Sequence, residues 1–157
     1  MFYEPKNGHP FKIDPYKALV FPRPIGWISS LSKQGIPNLA PYSYFNAVAD
    51  EPPQVMFCSN GDSAYGGFKD SLSNILSTKE FVVNFATSTT RDAMNISSSN
   101  YKPNEDEFVA AKLKKRKSKL VKAPSVYDSP VNLECQLLKT LKLKTNSKKL
   151  STMVIGE

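Results

Sequence analysis

Three clusters of polar side chains carry groups that could do chemistry: Ser29-Ser30, Ser43 to Asn46, and Lys69-Asp70-Ser71 with Asn74. The third has the clearest physical logic. Residues 60–67 hold three glycines, so that loop can approach a ligand closely. It leads into a helix whose first turn offers free backbone N–H groups and the positive end of the dipole. Lys69 adds a full charge and Ser71 a hydroxyl, which together would seat a phosphate. The competing reading is a solvated helix start capped by Asp70 or Ser71. Asp70 would repel a phosphate unless it turns to cap the helix or to bind a ligand hydroxyl. In Pro41-Tyr42-Ser43-Tyr44-Phe45-Asn46, hydroxyl, phenol, ring and amide groups crowd together. That suits a pocket for a flat ligand with polar edges, or else a turn exit satisfied locally. Trp27 either packs in the core or stacks on a ligand. Arg23, held between Pro22 and Pro24, either reaches an anion or pairs with a carboxylate.

Other chemistries find no support. There is no P-loop and no G-x-G-x-x-G. Glu105 and Glu107 fall in a polar loop that lacks the apolar shielding needed to raise a carboxyl pKa. The only histidine is His9, in an irregular lead-in, and Cys58 and Cys135 form no C-x-x-C pair. This argues against the usual zinc sites and against Cys–His or Ser–His catalysis, and makes both thiols buried and inert. The net charge is +7, and seven of the eleven residues from Lys112 to Lys122 are Lys or Arg. This run lacks interleaved aromatics and reads as solvated surface; a nucleic-acid patch is the alternative, and a small phosphorylated ligand fits the charge equally well. No apolar run approaches the roughly 20 residues that span a bilayer. The start lacks a signal peptide's charged and apolar regions, so the expected location is cytoplasmic.

At 157 residues, one domain spanning 1–157 is expected, with room for a real core. Asp14-Pro15 starts a short helix, with Asp as cap and Pro at the first position. Residues 25–31 and the segment from Pro37 form a hairpin across a polar connection containing Gly35. After the stiff turn Asp50 to Pro53, Gln54 to Ser59 makes a third strand. Leu72, Ile75 and Leu76 form one apolar helical stripe, followed by a strand over Phe81 to Ala86. Thr90 to Ser98 reads as a short helix, Ser97 to Glu107 as a polar loop, and Phe108 to Ala111 as one helical turn. Val131 to Lys144 alternates as a strand whose phase slips at Leu137-Leu138, the mark of a bulge. Thr145 to Lys149 turns, and Ser151 to Glu157 starts a last strand. About six strands joined by hairpins or short helices predict a mainly β fold with peripheral helices, an antiparallel barrel. Because the chain stops inside a strand, either the barrel closes there or the natural sequence continues.

The runs FPRPIGWISSLSKQGIPNLAPYSYFNAVADEPPQVMFCS, KDSLSNI, EFVVNFAT, AMNISS, SPVNLECQLL and STMVIGE resemble, in order, the flavin reductase-like, FMN-binding split-barrel family. That family includes flavoredoxins and the reductase components of two-component monooxygenases. The resemblance implies a six-stranded antiparallel split β-barrel acting as a homodimer, with FMN in a groove at the dimer interface. On the matched motifs, Trp27, Ser29 and Ser30 would line the flavin groove. Ser43, Tyr44 and Asn46 would contact the ring edge, ribityl chain or phosphate, with Ser59 at the end of the next strand. Lys69, Asp70 and Ser71 would hold the phosphate and ribityl end. NAD(P)H would be the co-substrate, its C4 hydride passing to flavin N5, so no catalytic acid or base and no metal is assigned. Neither nucleic acid nor membrane is an implied partner. A flavin-binding electron-transfer module without reductase activity is the alternative. Family members usually continue beyond the VIGE motif, so contacts made there are not assigned.

Overall fold

The computed structural model describes residues 2–146 and 148–157; Met1 and Ser147, within the expected lead-in and the expected 145–149 turn, lie outside them. The elements in chain order are α1 (Pro15–Leu19), β1 (Gly26–Leu31), β2 (Pro37–Tyr42), β3 (Phe45–Asp50), β4 (Pro53–Asn60), α2 (Asp70–Thr78), β5 (Glu80–Asn84), α3 (Arg91–Ile96), α4 (Glu107–Ala110), β6 (Lys115–Arg116), β7 (Ser125–Val126), β8 (Asn132–Lys142) and β9 (Ser151–Gly156).

Seven strands form one sheet in the order β2-β1-β5-β8-β9-β4-β3, and β6 pairs with β7 in a second. Every pairing is antiparallel. The edge strands β2 and β3 are consecutive in the chain, joined only through Ser43 and Tyr44. The edges therefore have to meet at that corner, where Cys58 N donates to Tyr44 O at 2.8 Å. The result is a sheet curled on itself and closed at one corner, a split barrel.

The main sheet has seven strands where about six were expected. The addition is β3, whose sequence FNAVAD buries only Phe45. It has no period-2 pattern of its own and is a strand because β4 pairs with it, Phe45 opposite Phe57. The expected bulge is present: the β8–β9 register shifts between Leu137 and Lys139. Asp14 caps α1, accepting from Tyr16 N at 3.0 Å.

Strand β1 is buried on both faces. Ile28 points into the barrel with Tyr42, Phe45, Phe57, Phe81 and Val154, under the apolar stripe of α2 (Leu72 and Ile75). Trp27 points the other way and packs with Leu39, Phe108 and Val126. Both faces need cover, as in any sheet strand without a wet side. The short helix α4 supplies it on the outer face.

Gly156 shows how tight the interior is. A Cβ there would lie 2.4 Å from Phe81 Cζ and 3.1 Å from Cys135 Cβ. The Phe81 ring is fully buried, edge-on to Phe57, and cannot swing clear. Gly156→Ala is expected to cost about 1–3 kcal/mol by overpacking, read as a lower urea midpoint. An unchanged or raised midpoint would mean that the β9 end is loose.

Candidate functional site

A cavity of about 300 Å³ opens beside the closed corner, lined by Tyr42, Ser43 and Tyr44 on one side and Lys69, Asp70 and Ser71 on another. Cys58 and Asn60 of β4, residues 97–101 after α3, and Glu107 complete it. Two of the three sequence clusters thus share one wall-to-wall space, although 25 residues separate Tyr44 from Lys69 in the chain.

At the start of α2, Lys69 occupies the cap position, and no side chain caps the helix. This corrects the expectation that Asp70 or Ser71 would be the cap. Without a cap, the first-turn N–H groups stay available, and Lys69 stands beside them at the cavity. The Ser71 hydroxyl, in contrast, is committed inward. It donates to Asn38 Oδ1 at 2.6 Å and is buried, so toward a ligand it offers lone pairs but no proton.

Asn38 is the hub of that inner network. Its Oδ1 also accepts from Ser30 Oγ at 3.3 Å, and its Nδ2 donates to Glu107 Oε1 at 2.7 Å. Leu39 N donates to Glu107 Oε2 at 3.0 Å, and Asn74 Nδ2 donates to Ser30 Oγ at 3.2 Å. Glu107 is 5% exposed, so the expectation of an unshielded loop carboxylate is wrong. Burial is the main cause that pushes its pKa up to about 7, with Asp70 adding repulsion against the N–H donors. The carboxyl is poised to change charge near neutral pH. Burial also raises Asp70 and Cys58, and raises Tyr42, whose phenol lies beside Ser71 and Ser59.

The remaining sequence-named residues sit elsewhere. Trp27 is fully buried behind the wall, its Nε1–H donating to Ser97 Oγ at 2.9 Å; only Ser97 faces the cavity. Ser29 Oγ donates to Pro124 O at 2.6 Å and accepts from Asn84 Nδ2 at 3.0 Å. Ser30 belongs to the inner network. Asn46 is exposed on β3, accepting from Ala47 N. Ser59 is buried with no well-formed hydrogen bond to its Oγ. Arg23 lies over the Tyr44 ring at 5.2 Å rather than against a carboxylate.

Glu107, Asn38, Asn84 and the 97–101 wall were not found from sequence. The one local signal for Glu107 was Asp106, which caps α4 by accepting from Phe108 N at 2.9 Å; a capped turn carrying a buried Phe also buries its neighbours. The basic run is partly tied down. Lys115 pairs with Asp106, and Arg116 stacks on Tyr127. Cys58 and Cys135 are both free and buried; burial pushes the Cys135 thiol up to about 12. Among the described residues, no group of His, Cys, Asp and Glu is arranged to hold a metal ion. Among the described residues, too, no helix is long and apolar enough to cross a membrane.

A curled antiparallel sheet with helices at its rim and a polar cavity at its closed corner defines a split-barrel domain. The flavin reductase like domain profile matches residues 18–157, and the chain belongs to that family. A protein of Aquifex aeolicus (strain VF5) is 47% identical over 123 residues, covering 78% of this chain and 62% of that protein. The chain spans only about three fifths of the curated relatives it matches, 62% and 57% for the first two. Among solved structures, nitrilotriacetate monooxygenase component B from Bacillus cereus superposes with a TM-score of 0.86 at 32% identity, covering 99% of this chain and 78% of that one. The 2-nitrobenzoate 2-nitroreductase NbaA of Pseudomonas fluorescens gives a TM-score of 0.80 at 28% identity, covering 100% of this chain and 73% of that one.

Proposed function

We propose that this chain is an FMN-binding flavin oxidoreductase that transfers a hydride from NAD(P)H to flavin, working as a homodimer. The observation that carries the reading is the convergence of Lys69, the uncapped start of α2, Ser43 and Tyr44 on one cavity in a chain of the flavin reductase like family.

The walls suit such a ligand at both ends. Lys69 and the first-turn N–H groups of α2 would take the phosphate. Ser43 and Tyr44, which line the same cavity, would contact the ribityl chain and ring edge. Ser30, Ser71 and Asn38 hold the start of α2 against β1 and β2, while Trp27 holds Ser97 in the far wall. When bound, FMN supplies the redox chemistry as acceptor of the nicotinamide hydride. The chain's own part is to bind, orient and exclude water. The homodimer draws support from the apolar side chains exposed near the start, Ile13, Leu19 and Phe21, which a second copy would cover.

Lys69→Ala combined with Ser43→Ala is expected to weaken FMN binding about 10- to 100-fold, the loss of one or two charge-assisted contacts, with thermal stability retained. The single tryptophan makes fluorescence quenching a direct readout. Unchanged affinity would move the ligand out of this cavity. Failure of NADH and NADPH to bleach the bound flavin in stopped flow would remove the reductase assignment while leaving flavin binding.

A further inference from the structure

The walls of the cavity carry a charge imbalance that a phosphorylated ligand must meet. Among its lining residues Lys69 is the only cation, against the carboxyl groups of Asp62, Asp70 and Glu107. Asp62 accepts from Leu150 N at 2.9 Å. Asp70 sits in the first turn of α2, and burial raises its pKa as well. Glu107 differs from both. Its carboxylate takes only neutral donors, Asn38 Nδ2, Leu39 N and its own backbone N–H, and it is in no ion pair among the described residues. Lys69 and Asp70 of α2 share the cavity wall with it, as does Tyr42 of β2; beside it on α4, Asp106 is paired with Lys115.

We propose that Glu107 is a proton-accepting wall of the ligand site: it takes up a proton from solvent when a ligand bearing a phosphate dianion enters the cavity, and so couples binding of that ligand to pH. This rests on the reading that the cavity holds a phosphorylated flavin. The physical cause is repulsion. A carboxylate and a dianion sharing a poorly solvated wall interact far more strongly than in water. One proton on Glu107 removes that repulsion, and no electron moves. Three N–H donors leave one of the carboxylate's four lone-pair sites free for a proton, so the acid form can stay in place between Asn38 and Leu39. The Glu107 pKa of about 7 makes the uptake cheap near neutrality. The sign follows from linkage. The bound dianion raises the Glu107 pKa further, so affinity falls as pH rises from about 7 through the raised value.

The test is calorimetric titration of FMN, and separately of riboflavin, into the protein at pH 7.5, in buffers of different ionisation enthalpy. At that pH the FMN phosphate, with a second pKa of about 6, is already mostly a dianion. The unsubstituted protein should take up a substantial fraction of one proton per FMN and little with riboflavin, and Glu107→Gln should take up little with either. Between pH 6.5 and 8 the wild-type affinity for FMN should fall about 3- to 10-fold, while that of Glu107→Gln stays flat. Because the Gln amide cannot accept from both donors, an infrared difference spectrum of the unsubstituted protein is the second measurement; a protonated carboxyl band should grow on adding FMN. Equal uptake in both proteins, equal uptake with riboflavin, or no such band would overturn the inference while leaving flavin binding intact. Absence of flavin binding by the wild type would remove the underlying reading and the inference with it.

Discussion

Trp27→Ala is expected to lose about 3–5 kcal/mol of folding stability, the usual range for removing a large buried aromatic side chain. The indole is fully buried between Leu39, Phe108 and Val126, and its N–H is matched to Ser97 Oγ at 2.9 Å. Truncation would leave a void between β1 and α4 and remove one of the two hydrogen bonds of the Ser97 hydroxyl, which would keep only its donation to Met94 O at 2.7 Å. Chemical unfolding followed by far-ultraviolet circular dichroism gives the number, since the variant has no tryptophan left to report. Trp27→Phe refills most of the volume and loses one hydrogen bond, a cost of about 1–2 kcal/mol. If the indole supports the wall from behind, this second variant keeps FMN affinity within about threefold, a difference of less than one ordinary hydrogen bond. A tenfold loss in a stably folded Phe variant would instead place the indole against the ligand.

Asn84→Ala is expected to destabilise the barrel by about 3–5 kcal/mol, because it leaves several buried polar groups unmatched at once. Asn84 has no exposed surface and uses both ends of its amide. Nδ2 donates to Trp27 O at 2.9 Å and Ser29 Oγ at 3.0 Å. Oδ1 accepts from Val126 N at 2.8 Å and Asn132 Nδ2 at 2.7 Å. One side chain thus ties β1, β5, β7 and β8. Asn84→Asp is expected not to rescue, since a second acceptor would then face the Trp27 carbonyl in a buried setting. Wild-type urea midpoints for both variants would show that water replaces these bonds without loss.

Much of the frame was legible because it depends on neighbours in the chain. Asp14 before Pro15 announced α1. The alternation from Val131, slipping at Leu137-Leu138, announced both β8 and its bulge. The stripe of Leu72, Ile75 and Leu76 announced the buried face of α2. Where the local pattern was weak, the reading failed. Strand β3 has small or exposed side chains after Phe45, and it exists through pairing with β4. Glu107 lies among polar neighbours, and only the packing of Phe108 against Trp27 and Leu39 draws it inside. Lys69 displaced Asp70 and Ser71 from the cap because Ser71 bonds inward to Asn38, a contact across 33 residues.

By itself, the sequence determined the kind of fold and the family. A run of alternating and apolar strands makes a curled antiparallel sheet, and the order of its polar motifs is that of a flavin reductase-like domain. It also marked Lys69, Ser43 and Tyr44, because a helix start and a crowded polar turn are local features. Only the tertiary structure decided which polar groups meet. Hydroxyls and amides that look alike in the chain divide into two sets once the sheet closes. Ser29, Ser30, Ser71 and Asn84 turn inward, because a buried polar group must find a partner. Ser43, Tyr44 and Lys69 stay at the cavity, and Glu107, joined to the inner network through Asn38, brings a titrating carboxyl to the same wall.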